Sequence, residues 1–100
     1  MKHDAIMIKA ADNVATALKD LEAGRAYEVS VGREFRSITV REPIIYGHKF
    51  AVAEIASGED IIKYGEVIGR ATADIAQGAY AHVHNIESLR GRGDLKKKGE

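Results

Sequence analysis

A short glycine-terminated pattern recurs along this sequence and limits the folds that the chain can adopt. An acidic residue, a branched apolar residue, two variable residues and a glycine follow one another at 20–24, 54–58 and 74–78. Glycine adopts positive φ at little steric cost, so each copy predicts a tight turn whose apolar residue is anchored in the core. Since three such turns cannot fit inside one long helix, we expect a compact, loop-rich β fold.

The runs between these turns have the composition of short β-strands. Glu28–Val31 and Ser37–Val40 flank Gly32-Arg33-Glu34 with apolar residues at every second position, which predicts a hairpin. Four further runs are predicted as short strands: Ala5–Ile8, Lys49–Val52, Glu66–Ala71 and Tyr80–His84. The fold class that follows is mainly β, with at most a short helix.

One stretch, Asp12–Leu21, is ambiguous in this pattern. Its apolar residues satisfy one face of a helix, and Asp12 or Asn13 could cap its start. The run is barely long enough for a stable helix, so a short helix and a strand followed by a turn both remain open. Pro43 lacks a backbone donor and is expected to end strand pairing where it occurs.

Composition restricts the classes of partner. The 100 residues predict one domain, and 15 basic residues balance 15 acidic ones, so bulk charge favours neither nucleic acid nor an anionic membrane. The chain has no cysteine, which excludes disulfides and thiolate metal sites. The first apolar run is too short for a signal peptide or a membrane span, and we expect a cytoplasmic protein that binds other proteins or small molecules.

The sequence His82-Val83-His84-Asn85 is the clearest candidate site. If it lay on a strand, side chains two residues apart would point the same way and both imidazoles would face one space. Such a pair could bind a metal, hold substrate hydroxyls or act as acid and base, since the reference pKa of histidine is near neutral. The pair could equally be polar residues at a sheet edge.

Four blocks of the sequence, taken in order, resemble the amino-terminal part of altronate dehydratase. The first block is Asp12-Asn13-Val14-Ala15 with the residues up to Leu21, and the second is Gly47-His48-Lys49-Phe50-Ala51. The third is Ile62–Gly69, and the fourth is the histidine pair with Asn85. The resemblance covers roughly Ile6 to Asn85 and implies a SAF domain, a small β-clip fold of short strands. It extends to galactarate dehydratase and to sulfolactate sulfo-lyase.

This resemblance implies a function and its cofactor. It identifies the chain as similar to the small subunit of a metal-dependent sugar-acid dehydratase, which removes water to leave a 2-keto-3-deoxy acid and completes the site of a large subunit. The family resembles iron-dependent enzymes, and imidazole suits Fe(II), so His82 and His84 become candidate metal ligands and catalytic residues. The alternatives are a sulfolactate sulfo-lyase small subunit and a non-catalytic carbohydrate- or protein-binding module.

Four other residues are candidates for substrate binding. His48 follows a glycine that would present it from a turn, although it could be a solvated loop residue. Lys63 and Tyr64 offer a cation and a phenol for a sugar-acid carboxylate and hydroxyl, or else a solvent-facing lysine and a packed tyrosine. Asn85 could donate to a substrate oxygen, or it could satisfy the backbone of a turn.

The domain is expected to span 1–88, followed by a charged tail at 89–100 that should fray. Small β domains with exposed edges often pair, so a homo-oligomer is possible.

Overall fold

In the computed structural model, which describes residues 3–88, short strands and turns account for the fold. Nine strands are present: β1 (Ala5–Met7), β2 (Val14–Ala17), β3 (Ala26–Val31), β4 (Glu34–Thr39), β5 (Lys49–Ala51), β6 (Asp60–Lys63), β7 (Glu66–Ala71), β8 (Tyr80–Ala81) and β9 (Ile86–Ser88). None of the described residues is helical, and in this part of the chain no segment could cross a membrane as a helix. The mainly β prediction is confirmed. The predicted tail lies outside the described residues.

The strands form two sheets. The larger has the order β4-β3-β1-β2-β5-β8, and the smaller has the order β6-β7-β9. Only β1 and β3 are parallel among the paired strands described, and the other neighbours are antiparallel. The predicted hairpin is β3 and β4, in which Val31 pairs with Glu34 and leaves Gly32-Arg33 as a two-residue turn. β6 and β9 were not anticipated, because neither has a clear alternation of apolar and polar residues.

The ambiguous stretch contains β2 and no helix. β2 pairs with β1 on one side and β5 on the other, so its backbone groups are satisfied across the sheet. Alternate side chains enter different parts of the core: Ala15 and Ala17 belong to one buried cluster and Val14 to a second. Burial on both faces gives an apolar run without strict alternation, and that run also fits a helical face.

The glycine-terminated pattern forms turns, as predicted, and the structure adds a fourth copy. Gly24, Gly58 and Gly78 have φ of +85°, +92° and +89°, and Gly47 has φ of +85° at the end of Pro43–Gly47. The buried apolar residues of these turns bridge in pairs, Leu21 with Ile44 and Ile55 with Ile75. In three copies the acid accepts a backbone N–H from the opposite turn: Asp20 from Tyr46, Glu54 from Gln77, and Asp74 from Ser57. The copy at 43–47 has proline in the acid position.

Candidate functional site

Three imidazoles gather around one tyrosine where β5 meets β8. His48 lies next to β5, and Phe50 pairs with Tyr80 of β8, which brings His48 Nδ1 to 2.6 Å from the Tyr80 hydroxyl. The His82 ring stacks on the Tyr80 ring at 5.4 Å between centroids and lies 4.9 Å from the His48 ring. The His84 ring is 5.4 Å from Tyr80. We call His48, Tyr80, His82 and His84 the imidazole cluster.

The histidine pair does not lie on a strand, which corrects the predicted strand Tyr80–His84. β8 ends at Ala81, His82 lies in a bend, and Val83 to Asn85 form a turn. Both imidazoles nonetheless contact the ring of Tyr80. Strand alternation therefore does not explain the geometry of the pair, and the turn does.

Asn85 holds this turn. Its side chain is buried, with Oδ1 accepting from the His82 N–H at 2.9 Å and Nδ2 donating to the Tyr80 carbonyl at 2.9 Å. Its own N–H donates to the His82 carbonyl. The structure thus favours the turn-supporting alternative for Asn85. The residue fixes the position of His82 relative to Tyr80.

A groove of about 580 Å³ opens beside the cluster. Lys49 and His82 contribute polar groups to it, and Val83 is the most exposed of the large apolar side chains described, at 79%. The remaining lining residues are Glu66, Val67, Ile68, Ile86 and Ser88. The volume is in the range of small-molecule sites, and the wall combines apolar surface with a few polar groups.

The charges around the groove affect the protonation of His82. Burial lowers the pKa of His82, and electrostatic interactions with His48, Lys49 and His84 lower it further. An imidazole with a lowered pKa is neutral near pH 7 and keeps a free nitrogen lone pair. His82 can therefore accept a proton or bind a metal ion at neutral pH.

Lys63 is the last residue of β6, and Tyr64 begins the tight turn between β6 and β7. Tyr64 has φ of +63° and is followed by Gly65 with φ of +73°. The Lys63 ammonium lies 4.7 Å from the centre of the Tyr64 ring. No hydrogen bond or ring contact among the described residues joins these two to the imidazole cluster, but the charge of Lys63 reaches Lys49 and helps to lower its pKa, after burial.

Asp12 holds this turn in place from a distant part of the sequence. Its buried carboxylate accepts four backbone N–H groups: Ile8 at 3.0 Å, Lys9 at 3.1 Å, Tyr64 at 3.1 Å and Gly65 at 2.8 Å. Burial raises the pKa of this carboxyl, but the hydrogen bonds outweigh it and the pKa is lowered overall.

Tyr80 was not considered from the sequence as a site residue, and Lys49 was considered only together with His48, as a residue that the turn after Gly47 could present. Tyr80 contacts all three imidazoles, and Lys49 lines the groove. The strand pairing that unites them joins residues about thirty positions apart, which a single sequence does not show. The sequence feature that could have identified Lys49 was its position beside His48, directly after a glycine turn.

Residues 3–88 do not contain a complete set of metal ligands. No group of three or more histidine, cysteine or acidic side chains there could hold a metal ion. The imidazoles suit Fe(II) in type but not in number. Any metal bound here needs ligands from outside the described residues.

The fold of short strands and tight turns agrees with a small, mainly β SAF domain. The model of the altronate/galactarate dehydratase SAF domain matches residues 3–89. The chain belongs to this family.

Two kinds of relative share the domain. The chain is 51% identical over 83 residues to altronate dehydratase of Escherichia coli and 41% identical over 86 residues to that of Bacillus subtilis; it spans 16% of the length of each. It is 34% identical over 93 residues to (2R)-sulfolactate sulfo-lyase subunit alpha of Chromohalobacter salexigens, and the match covers 90% of this chain and 99% of that subunit. The domain therefore occurs both as a part of a larger enzyme and as most of a subunit.

Proposed function

We propose that this chain is the SAF component of a metal-dependent, altronate-type sugar-acid dehydratase and that it completes the active site of a separate large subunit. The observation that supports this most directly is the imidazole cluster beside the groove. The identity of 51% to an altronate dehydratase favours this substrate class. A cytoplasmic location is part of the proposal, because a chain without cysteine needs no oxidising compartment.

The proposed reaction needs a base and a way to stabilise negative charge. The proton on the carbon beside the substrate carboxylate is removed, the C–O bond on the next carbon breaks, and the hydroxyl leaves as water once protonated. The enol that remains becomes a 2-keto-3-deoxy acid. His82, with its lowered pKa, is the candidate to accept a proton if it binds no metal, and His48 and Tyr80 can exchange hydrogen bonds with substrate hydroxyls.

We propose His82 and His84 as ligands of a divalent metal, with Fe(II) as the candidate. Such an ion would act as a Lewis acid that stabilises the charge developing on the substrate. In this arrangement the large subunit would provide the remaining ligands. Lys63 and Tyr64 are proposed at the margin of the site, where their cation and phenol would face substrate.

A second candidate reaction is sulfolactate cleavage, in which sulfite leaves in place of water. The match to almost the whole of a sulfo-lyase subunit alpha favours it. The two reactions are distinguished by supplying the assembled complex with altronate or sulfolactate and measuring the keto acid and the sulfite released. Altronate turnover without sulfite release from sulfolactate is expected.

The first test is whether a large dehydratase chain requires this one. The two are co-expressed and purified, and altronate turnover is measured with and without this chain. We expect a stable complex and a loss of turnover without the SAF chain. Failure to form a complex, or unchanged activity of the large chain alone, would instead favour a non-catalytic binding module or a homo-oligomer.

The second test concerns the metal. Replacing His84 with alanine should lower the metal content of the complex, because one ligand is removed; elemental analysis measures it. His3→Ala is the matched control, since the His3 ring contacts Phe35 and no ring of the cluster. Stoichiometric metal with reduced turnover in the His84 variant would rule out ligation and leave an acid–base role.

A further inference from the structure

Lys49 lies in the wall of the groove. It lies on β5, opposite Thr16 of β2 and Ala81 of β8, and its side chain is partly buried where it lines the groove with His82. Lysine ammonium groups normally remain in water, because removing a charge from water without a partner costs free energy. A partly buried ammonium that lines a groove is a candidate to bind an anion.

Within residues 3–88 no acidic side chain supplies that anion. The ion pairs within 4.0 Å there are Lys19 with Asp4 and Arg25 with Glu22, and neither includes Lys49 or Lys63. The positive charge of Lys63 lies near enough to oppose that of Lys49 and, together with burial, lowers the pKa of Lys49. Glu66 also lines the groove, but it is exposed and forms no ion pair with either lysine.

We propose that Lys49 binds the carboxylate of a small polyhydroxy acid in the groove, with Lys63 adding favourable positive potential. An ammonium and a carboxylate form a strong charge-assisted hydrogen bond, and an anion bound to Lys49 offsets the repulsion that Lys63 exerts on it. The apolar side chains of Val67, Ile68 and Ile86 also line the groove and would contact the carbon skeleton. This assignment rests on the proposed function and adds the group that recognises the acid.

The position also orients the ligand. Lys49 and His82 line the same groove, so a carboxylate at Lys49 brings the neighbouring carbon atoms toward the His82 imidazole. The carbon beside the carboxylate is the one that must lose its proton. Lys49 is thus a substrate-binding residue that would select acids over uncharged sugars and set the direction in which they bind.

The test measures binding to the isotopically labelled full chain by NMR at low ionic strength. Altronate is compared with the uncharged six-carbon polyol of the same stereochemistry. We expect altronate, and not the polyol, to shift the amide signals of Lys49 and His82. Lys49→Gln should weaken altronate binding about tenfold through loss of one charge-assisted contact, while Lys49→Arg should retain most of it.

Lys19→Gln is the matched control, because it removes one lysine charge from an exposed ion pair with Asp4. Its altronate affinity should stay within twofold of the parent chain. Equal binding of the polyol, no binding of altronate, or unchanged affinity in a folded Lys49→Gln variant would each overturn the assignment. If turnover by the complex requires His84 but altronate affinity does not depend on Lys49, this inference fails while the proposed function stands. If altronate binding depends on Lys49 but the complex does not turn altronate over, the proposed function fails while this inference stands.

Discussion

Asp12 provides the sharpest test of how this fold is held together. Its carboxylate joins the Ile8-Lys9 segment to the Tyr64-Gly65 turn through four backbone N–H groups, three of which bind Oδ2 and one Oδ1. The side chain is only 4% exposed. Replacing Asp12 with alanine would remove the acceptor for all four donors at once.

The magnitude follows from two opposing effects. A hydrogen bond to a charged group contributes about 1.5–3 kcal/mol, but burying the carboxylate has a cost, and water can reach some of the released donors. We therefore expect Asp12→Ala to lower the free energy of unfolding by about 3–4 kcal/mol, a decrease in Tm of roughly 12–30 °C for a domain of this size. Asp12→Asn should lower the free energy of unfolding by about 2 kcal/mol. The amide oxygen can still accept the three N–H groups that bind Oδ2, but the NH2 group would then face the Gly65 N–H, and two donors repel each other.

The assay is urea denaturation of each variant between pH 3 and pH 7. A carboxyl whose folded pKa is lowered stabilises the protein fully above its unfolded value, near 3.8 here, and loses that effect as the pH falls through the folded value. The difference between the parent chain and Asp12→Asn should therefore shrink below about pH 4. Asp20→Ala is the control, since Asp20 accepts one exposed turn N–H, and about 1 kcal/mol is expected. Equal losses at positions 12 and 20, or an Asp12→Asn difference that does not vary with pH, would refute the reasoning.

Two further predictions concern backbone conformation. Gly78→Ala should lower the free energy of unfolding by more than about 3 kcal/mol, because φ is +89° and the new Cβ would meet the Thr39 carbonyl oxygen; Gly24→Ala, with equal strain but open space, should cost only about 1 kcal/mol. Thermal unfolding measures both, and similar losses would show that the contact with Thr39 is unimportant. Tyr64→Asn should raise stability by up to about 1 kcal/mol, because asparagine tolerates the φ of +63° better than tyrosine does. If Tyr64 also contacts substrate, the same variant should bind altronate more weakly than the parent chain; a destabilised variant would argue that the ring contact with Lys63 outweighs the strain.

The sequence was sufficient to predict the features that depend on local chemistry. The positive φ of Gly24, Gly58 and Gly78 follows from glycine in a short repeated pattern, and the β3–β4 hairpin follows from alternation around Gly32. The fourth turn was missed because proline replaces the acid of the pattern at position 43. The turn at 43–47 has the same conformation as the other three, because it retains the apolar bridge through Ile44 and the positive φ of Gly47.

The site was less accessible to sequence reasoning, because its members are brought together by long-range pairing. The pair His82 and His84 was visible as a motif, but the strand assigned to it was wrong, since Asn85 binds the backbone of His82 and Tyr80 and closes a turn. A local motif identifies side chains capable of chemistry, whereas the contact between His48 and Tyr80 depends on the register of β5 and β8.

The repeated glycine turns help to position the residues of the site. His48 follows Gly47 and Tyr80 lies two residues after Gly78, so each belongs to a segment that leaves a positive-φ glycine turn and enters the same sheet. The Gly78 N–H donates to the Ala51 carbonyl, and the Ala51 N–H donates to the Ala79 carbonyl, which locks the second segment onto β5. Because the turns determine where both strands begin, they also determine that an imidazole, a phenol and the Lys49 ammonium emerge on neighbouring strands beside the groove. A change at Gly78 should therefore disturb the imidazole cluster as well as stability, whereas one at Gly24, which precedes β3, should affect stability alone.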